Sequence, residues 1–129
     1  MGWVYSPGGG AATAAVGDDG TIEVTVRAGA VADPTEDAVL RSYCTGAAHM
    51  ALGLVRHEGL AVDPVDGTVH DLTIRSFGVL RAVDTPPIRV TVESTGGEPV
   101  NGGDAVFAAV AAAVWLHDGL PSSWPATTA

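Results

Sequence analysis

Apolar and polar residues alternate along three stretches of the chain, and each stretch predicts a β-strand with one buried face. The alternation is strict in residues 21–27 and 88–93, and it also covers residues 69–77. Successive side chains of a strand point to opposite faces of a sheet, so this period of two buries one set of residues. Residues 11–16 are short and apolar and lead into the turn sequence GDDG at 17–20. The pattern therefore predicts an N-terminal β-hairpin.

In residues 33–59 the apolar positions recur at the spacing of an α-helix, which predicts one long helix. Asp33 is a candidate N-cap, Pro34 suits the first helical position, and Glu36 stands where a capping-box partner belongs. Gly59 is the predicted stop, because glycine tolerates the left-handed conformation that ends helices. The predicted apolar face has helical spacing and comprises Leu40, Tyr43, Cys44, Ala47, Met50, Ala51, Leu54 and Val55.

The opposite face of this helix is small, hydroxylic and partly basic, whereas an ordinary solvent face carries more Lys and Glu. It comprises Arg41, Ser42, Thr45, Gly46, His49, Gly53 and Arg56. This composition indicates that another backbone or a ligand approaches the helix here.

A second helix is predicted for residues 105–117, with Asp104 as its N-cap and Gly119 as its stop. This helix is apolar nearly all round, so we expect it to be buried on most sides. The order of elements predicts an α+β fold. In it, an antiparallel or mixed sheet packs against one long helix and one buried apolar C-terminal helix.

The length of 129 residues suits one core, so we expect a single domain over residues 1–129. Residues 1–10 and 121–129 are expected to be largely irregular, and Trp124 is a candidate to hold the C-terminal tail against the body.

Charge and cysteine content exclude several classes of function. The formal net charge is −9, with six Arg and no Lys, which argues against nucleic-acid binding. The single cysteine, Cys44, cannot form an internal disulfide or an iron–sulfur cluster and is expected in the core. The chain shows no signal peptide, and its most apolar run, residues 105–116, is shorter than the roughly 20 residues that span a bilayer. We therefore expect a cytoplasmic protein that does not enter a membrane.

Metal and nucleophile motifs are missing from the sequence. No two of the four histidines have the i, i+4 spacing of zinc sites, so no metal bound by the protein alone is expected. There is no GxSxG motif, and Ser42 and His49 lie about 10 Å apart along one helix face, which is too far for a direct hydrogen bond.

The glycine-rich loop STGGEPVNGG, residues 94–103, is the first candidate site. It runs into a helix N-terminus, where free N–H groups favour anions, and Gly102 lets a ligand come close. Glu98 in the same loop is a candidate general base. The alternative interpretation is a plain capped turn with a solvated Glu98.

A second candidate site needs the strand 69–77 to cross the polar face of the long helix. Arg75 would then join Arg41 or Arg56 in an anion site beside His49. The alternative is that these arginines pair with the surrounding acids.

The order of these elements resembles the C-terminal part of the large subunit of xanthine dehydrogenase and aldehyde oxidase-type molybdenum hydroxylases. The resemblance covers roughly residues 10–120. In that family a Gly-rich helix, a D.PP segment, a strand, a GVGEPP loop and an apolar helix follow one another. The counterparts here are Gly46 to Glu58, Asp84 to Pro87, Ile88 to Glu93, Gly96 to Pro99 and Ala105 to Trp115.

The resemblance implies an oxidoreductase function and a role for each matching residue. The glutamate of the family's loop acts as the base at the molybdenum centre, and its counterpart here is Glu98. The same reasoning gives Gly46, Gly97, Asn101 and Gly102 as cofactor-binding residues. The chain departs from the family by having STGGEPVNGG where the family has GVGEPP, with one residue fewer before the helix, and Thr45-Gly46 where the family has Gln-Gly. The family's large subunit is also several times longer.

Two hypotheses of different classes follow. In the first, the chain is part of a molybdenum hydroxylase that binds molybdopterin only with partner chains and hydroxylates a small heteroaromatic substrate or an aldehyde. In the second, it acts alone and without cofactor, as a small-molecule-binding protein or an isomerase- or cyclase-type catalyst. Its pocket would then contain Ser42, His49, Arg75 and Glu98. A self-associating structural protein is a third reading.

Overall fold

The computed structural model describes residues 2–71, 73 and 77–125. Six strands are found in these residues: β1 (Val4–Tyr5), β2 (Ala11–Val16), β3 (Ile22–Arg27), β4 (Ala61–Val62), β5 (Val69–Asp71) and β6 (Ile88–Glu93). The helices are α1 (Pro34–Arg56), a short 3-10 helix (Ala82–Asp84) and α2 (Gly103–His117).

The main sheet has four strands in the order β1-β2-β3-β6 and is mixed. β2 pairs antiparallel with β1 and β3, whereas β6 lies parallel to β3. A parallel neighbour needs a crossover, and α1 provides it between β3 and β6. β4 and β5 form a separate two-stranded hairpin. The predicted hairpin and the predicted α+β class with a mixed sheet are confirmed.

One face of the sheet is covered by both helices, which also pack against each other. The largest fully buried side chains come from β3, α1 and α2: Ile22, Val24, Val26, Cys44, Leu52, Val55, Val106, Val110 and Val114. Alanines fill the remaining positions of the core, including Ala48 and Ala51 of α1 and Ala109 of α2. Small residues at a helix contact let the two helix axes approach closely, so the core is compact.

The start of α1 matches the prediction. Asp33 is the N-cap, and its Oδ1 accepts a hydrogen bond from Glu36 N at 2.8 Å. The Glu36 carboxylate accepts in turn from Ala32 N at 2.7 Å, one residue earlier than in a standard capping box.

The predicted end of α1 was wrong. The helix ends at Arg56, and the N–H groups of His57 and Glu58 both donate to the carbonyl of Gly53. Gly59 does not take a positive φ, and its N–H donates to Phe77 O at 2.9 Å. Contact with the later segment thus replaces the expected glycine cap.

The prediction of the apolar face of α1 was partly wrong as well. Tyr43 and Met50 are 71% and 56% exposed, whereas Ala48 and Leu52 are buried. The contact with α2 is built from small residues, so the larger Tyr43 and Met50 lie on the flank of the helix.

Two further boundaries differ from expectation. The strand expected over residues 69–77 is β5, Val69–Asp71, and Phe77 N donates to Thr73 O at 3.0 Å in a turn. The intervening residues 72 and 74–76 lie outside the described residues. Asp104 is not the N-cap of α2, because the helix begins at Gly103 and Gly102 is its N-cap.

The C-terminal tail contacts α2 through tryptophan, as predicted for Trp124. Its ring packs edge-on against that of Trp115, with ring centroids 6.3 Å apart. Trp115 Nε1 also donates to Pro121 O at 2.9 Å.

Candidate functional site

The loop of residues 94–102, here called the Glu98 loop, is docked on the segment that leaves β3. Three backbone hydrogen bonds hold it: Val100 N donates to Ala28 O at 3.0 Å, Ala30 N to Gly97 O at 3.3 Å, and Thr95 N to Gly29 O at 3.0 Å. Val31 N donates to Ser94 Oγ at 3.0 Å. The loop therefore has a defined position although it contains no regular secondary structure.

Two glycines with positive φ make this docking possible. Gly29 has φ +84° and Gly97 has φ +95°, a region that side chains other than glycine rarely adopt. At Gly29 there is also no space for a Cβ, which would lie 2.9 Å from the carbonyl carbon of Glu98 and 3.0 Å from Pro99 Cα.

Glu98 is exposed, and its carboxylate makes no hydrogen bond or ion pair with the described residues. A carboxylate on a docked backbone with no internal partner is free to accept a proton from another molecule. The geometry is thus compatible with the predicted base, and the role itself stays a prediction.

Asn101 and Gly102 lie where the loop enters α2. Asn101 Oδ1 accepts from Gly103 N at 2.7 Å, which satisfies one free donor of the helix end. Gly102 is buried, and a Cβ there would lie 2.8 Å from Val26 Cγ2. Gly102 is therefore explained by internal packing, and the ligand contact expected of it stays a prediction.

A cleft of about 580 Å³, here called the α1 cleft, opens beside the Glu98 loop. Its lining comes from the segment after β3, from the first half of α1 and from the end of the loop: Ala28, Ala30, Val31, Thr35, Glu36, Val39, Leu40, Tyr43, Pro99, Val100, Asn101 and Gly102. The volume lies within the range of small-molecule pockets. Sequence reasoning predicted Asn101 and Gly102 here and missed the α1 wall. The one available signal was the pair Val39 and Tyr43, one helical turn apart.

The other predicted site residues lie elsewhere. Ser42 and Gly46 line a shallow groove of about 370 Å³ further along α1, together with Met50. A Cβ at Gly46 would meet no atom within 4 Å, so nothing in the described residues approaches it. His49 is half-buried, and its Nε2 donates to Leu80 O at 2.9 Å. His49 lines neither this groove nor the α1 cleft, and Arg75 lies outside the described residues.

The arginines expected beside His49 have other partners. Arg41 Nε donates to Asp37 at 2.6 Å, and its guanidinium also reaches the carbonyl of Val90. Arg56 makes a bidentate pair with Asp118, with distances of 2.8 and 2.7 Å. Both arginines therefore pair with acidic residues, as the alternative interpretation predicted.

Asp104 belongs to the first turn of α2, where it contacts the N-terminal segment. Ser6 Oγ donates to Asp104 Oδ2 at 2.5 Å. This hydrogen bond lowers the pKa of the Asp104 carboxyl from its usual value, and the N–H of Ala105 acts in the same direction. A negative charge at a helix N-terminus is also favoured by the helix dipole.

The Glu98 loop offers hydrogen-bond donors that an anionic cofactor of the molybdopterin type requires, but the described lining of the α1 cleft offers no positive charge. The backbone N–H groups of Gly97, Glu98 and Asn101 have no hydrogen-bond partner among the described residues, so they can donate to a ligand. A phosphate-bearing cofactor is anionic, however, and the charged group among the described residues of the α1 cleft is Glu36. Balancing such a charge requires cationic donors from outside this cleft.

Among the described residues, no three His, Cys, Asp or Glu side chains are grouped so that they could hold a metal ion. In the same part of the chain, no helix is long and apolar enough to cross a membrane. A cytoplasmic location stays a prediction.

Comparison with known proteins is informative at the level of structure. No protein-family model matches the chain, and no curated protein sequence matches it. The fold is nevertheless that of part of a molybdenum hydroxylase, as the sequence resemblance predicted.

Two solved structures carry this likeness. One is quinoline 2-oxidoreductase from Pseudomonas putida 86, with a TM-score of 0.65 and 18% identity over 92% of this chain. The other is Cu,Mo-CO dehydrogenase in its carbon monoxide reduced state, with a TM-score of 0.60 and 17% identity over 85% of this chain. The present chain spans only 17% and 16% of those two chains. At this level of identity the likeness establishes the fold.

Proposed function

We propose that this chain is one part of a molybdenum hydroxylase whose cofactor site is completed by a partner chain. The substrate class is a small heteroaromatic molecule or an aldehyde, which the enzyme hydroxylates oxidatively. The observation that carries the proposal is the Glu98 loop: an unpaired carboxylate lies on a docked glycine-rich loop, in the fold of a molybdenum hydroxylase.

Within this proposal Glu98 is the base. Oxidative hydroxylation releases protons, and a carboxylate without an internal partner can accept one from the reacting group. The hydrogen bonds of Gly97 and Val100 to the segment after β3 hold the loop backbone, so Glu98 is presented from a fixed position.

The same loop would contact the cofactor at one edge. The N–H groups of Gly97 and Asn101 are donors without a described partner, and Gly102, the N-cap of α2, lies next to Asn101 in the chain. Gly46 offers an open surface on α1 where another chain or group can approach closely. When bound, a molybdenum cofactor supplies the oxidation chemistry. A partner chain over the loop would exclude water from Glu98 and strengthen its interaction with a substrate.

The test is a comparison of the chain purified alone with the chain purified together with any co-purifying subunit. We expect molybdenum and pterin, detected by metal analysis and absorbance, only in the complex. The complex should reduce an electron-acceptor dye in the presence of an aldehyde or a nitrogen heterocycle.

Two substitutions separate the role of Glu98 from that of the fold. Glu98→Gln should abolish dye reduction while leaving the metal content unchanged. Glu23→Gln, an exposed change on β3 away from the loop, should retain full activity. Full activity of Glu98→Gln, or a colourless chain that is active alone, would contradict the proposal.

A cofactor-free small-molecule-binding function is the second candidate, and one observation favours it. The α1 cleft has a volume of about 580 Å³ and a mostly apolar described lining, so its size and chemistry suit a small ligand.

A further inference from the structure

We propose that the α1 cleft binds a planar aromatic molecule that is neutral or positively charged, and that it does so without a metal or a partner chain. The proposal deepens the second candidate function and rests on it. It is independent of Glu98, which is not among the described lining residues of the cleft.

The walls of the cleft favour a flat apolar ligand. Val39 and Tyr43 form one side from α1, and Pro99 and Val100 form another from the Glu98 loop. Tyr43 is 71% exposed and Val39 is 50% exposed, so a ligand between these walls would cover apolar surface that water now contacts. Aromatic rings also stack favourably on a tyrosine face.

The depth of the cleft is set by residues of the core. Ala28 and Gly102 are buried members of the lining, and Leu40 is half-buried. Gly102 packs against Val26 and Ala28 so closely that a Cβ there would lie 2.8 Å from Val26 Cγ2, and Ala28 adds only a methyl group to the floor of the cleft. The cleft therefore follows from the same packing that docks the Glu98 loop.

Polar groups at the cleft are held in place by hydrogen bonds that leave other atoms available. Glu36 Oε2 accepts from Ala32 N at 2.7 Å, while its Oε1 has no partner among the described residues. Asn101 Oδ1 accepts from Gly103 N at 2.7 Å, which leaves the side-chain amide N–H groups as donors. Groups that are fixed before binding lose little entropy when a ligand arrives.

Charge decides which aromatic molecules the cleft accepts. Glu36 is the charged group among the described lining residues, and the chain as a whole carries a net charge of −9. Arg41, on the same helix, is engaged by Asp37 and by the carbonyl of Val90. A carboxylate on the ligand would thus be repelled, whereas an ammonium group can pair with Glu36.

A segment of another protein is the competing occupant. The cleft continues into the shallow groove along α1, because Val39 and Tyr43 line both. The volume of the α1 cleft, about 580 Å³, lies in the range of small-molecule pockets and favours the small molecule, and the experiment below separates the two occupants.

The test uses three probes that share one ring system and differ in charge: naphthylmethylamine, naphthylmethanol and naphthylacetate. Each is titrated into the isotope-labelled full chain while backbone amide NMR shifts are recorded. We expect the amine and the alcohol to saturate at about millimolar concentration or below, with shifts at Val39, Tyr43 and Asn101. Naphthylacetate should bind at least about 5-fold more weakly than the amine.

Three variants locate the site. Tyr43→Ala should weaken the amine and the alcohol alike by about 5- to 10-fold. Glu36→Gln retains an acceptor for Ala32 N and should weaken only the amine, by about 5-fold. Met50→Ala, which lines the groove but not the cleft, should change neither affinity.

The proposal would be overturned if no probe gave saturable shifts, or if the three probes bound with equal affinity in spite of their different charges. Shifts confined to Ser42, Gly46 and Met50 would also overturn it. If instead Tyr43→Ala abolishes co-purification of a partner chain while no probe binds, a protein segment is the occupant. Failure of this test leaves the Glu98 proposal standing, since that proposal is measured by dye reduction and metal content.

Discussion

Gly29 packs directly against the main chain of Glu98, and this contact fixes the position of the candidate base. A Cβ on residue 29 would lie much closer to the Glu98 carbonyl oxygen than the sum of their van der Waals radii allows, and 2.9 Å from the carbonyl carbon. Gly29 also has φ +84°. A residue remote in sequence thus determines where Glu98 is presented, through backbone contact alone.

Gly29→Ala is therefore expected to undock the Glu98 loop. The left-handed backbone and the clash with Glu98 together should cost about 2–4 kcal/mol of unfolding free energy. Urea denaturation measures the loss, and hydrogen exchange at Val100 N–H should accelerate. Gly97→Ala is the matched control, because φ is +95° but no atom lies within 4 Å of its Cβ position. It should cost only about 1 kcal/mol. Equal losses in the two variants would show that Gly29 does not hold the loop.

Strands β2, β3 and β6 and the start of α1 were predictable because each has a local signature. The alternation of residues 21–27 sets which side chains enter the core, and Asp33 with Glu36 marks the start of α1. The resemblance then matched the order of the elements to a known family and gave Glu98 a specific role.

The α1 cleft and the end of α1 were not predictable, for a shared physical reason. The Glu98 loop docks through main-chain hydrogen bonds, such as Val100 N to Ala28 O, which any residue type can make. The end of α1 depends on contact with Phe77, and the exposure of Tyr43 depends on how closely α2 approaches. These are tertiary effects without a local sequence pattern.

Arg56 and Asp118 connect the C-terminal ends of the two helices, and their pair should contribute measurably to stability. The pair is bidentate, with side chains 25% and 19% exposed. A bidentate pair that is largely shielded from water stabilises a fold more than an ordinary exposed pair does. Asp118→Asn should therefore cost about 1–2 kcal/mol of unfolding free energy. The comparison is Asp84→Asn, which breaks the exposed Arg81–Asp84 pair and should cost less than about 0.5 kcal/mol. A double-mutant cycle with Arg56→Ala that gives no coupling would contradict this view.

His49 is expected to act in stability rather than in ligand binding. Its Nε2 donates to the carbonyl of Leu80, whose side chain is buried. His49→Ala should cost about 1 kcal/mol of unfolding free energy, since the carbonyl loses its partner. It should leave probe binding in the α1 cleft unchanged. His70→Ala, an exposed change 3.7 Å from Asp63, should have an effect below about 0.5 kcal/mol. If His49→Ala lost probe binding without losing stability, the result would contradict this view and support His49 as a ligand-binding residue.

Cys44 should make the stability of the fold depend on alkaline pH. Burial in the α1 core raises the pKa of its thiol to about 11, from 9.0 in an exposed chain. Above the lower value the unfolded state binds fewer protons than the folded state, so the free energy of unfolding falls as pH rises. The loss is confined to the window between the two values and should be on the order of 2–3 kcal/mol across it.

Urea denaturation at pH values below and above 9.0 measures this loss. Cys44→Ala is the control, because it lacks the thiol and keeps every other titrating group. The difference between the two proteins should therefore depend on pH only within this window. The folded protein should also resist a thiol-specific reagent near neutral pH and react only at its unfolding rate, since the reagent requires an exposed thiolate. Rapid labelling of the native protein would show that Cys44 is accessible and that its thiol is not held neutral by burial.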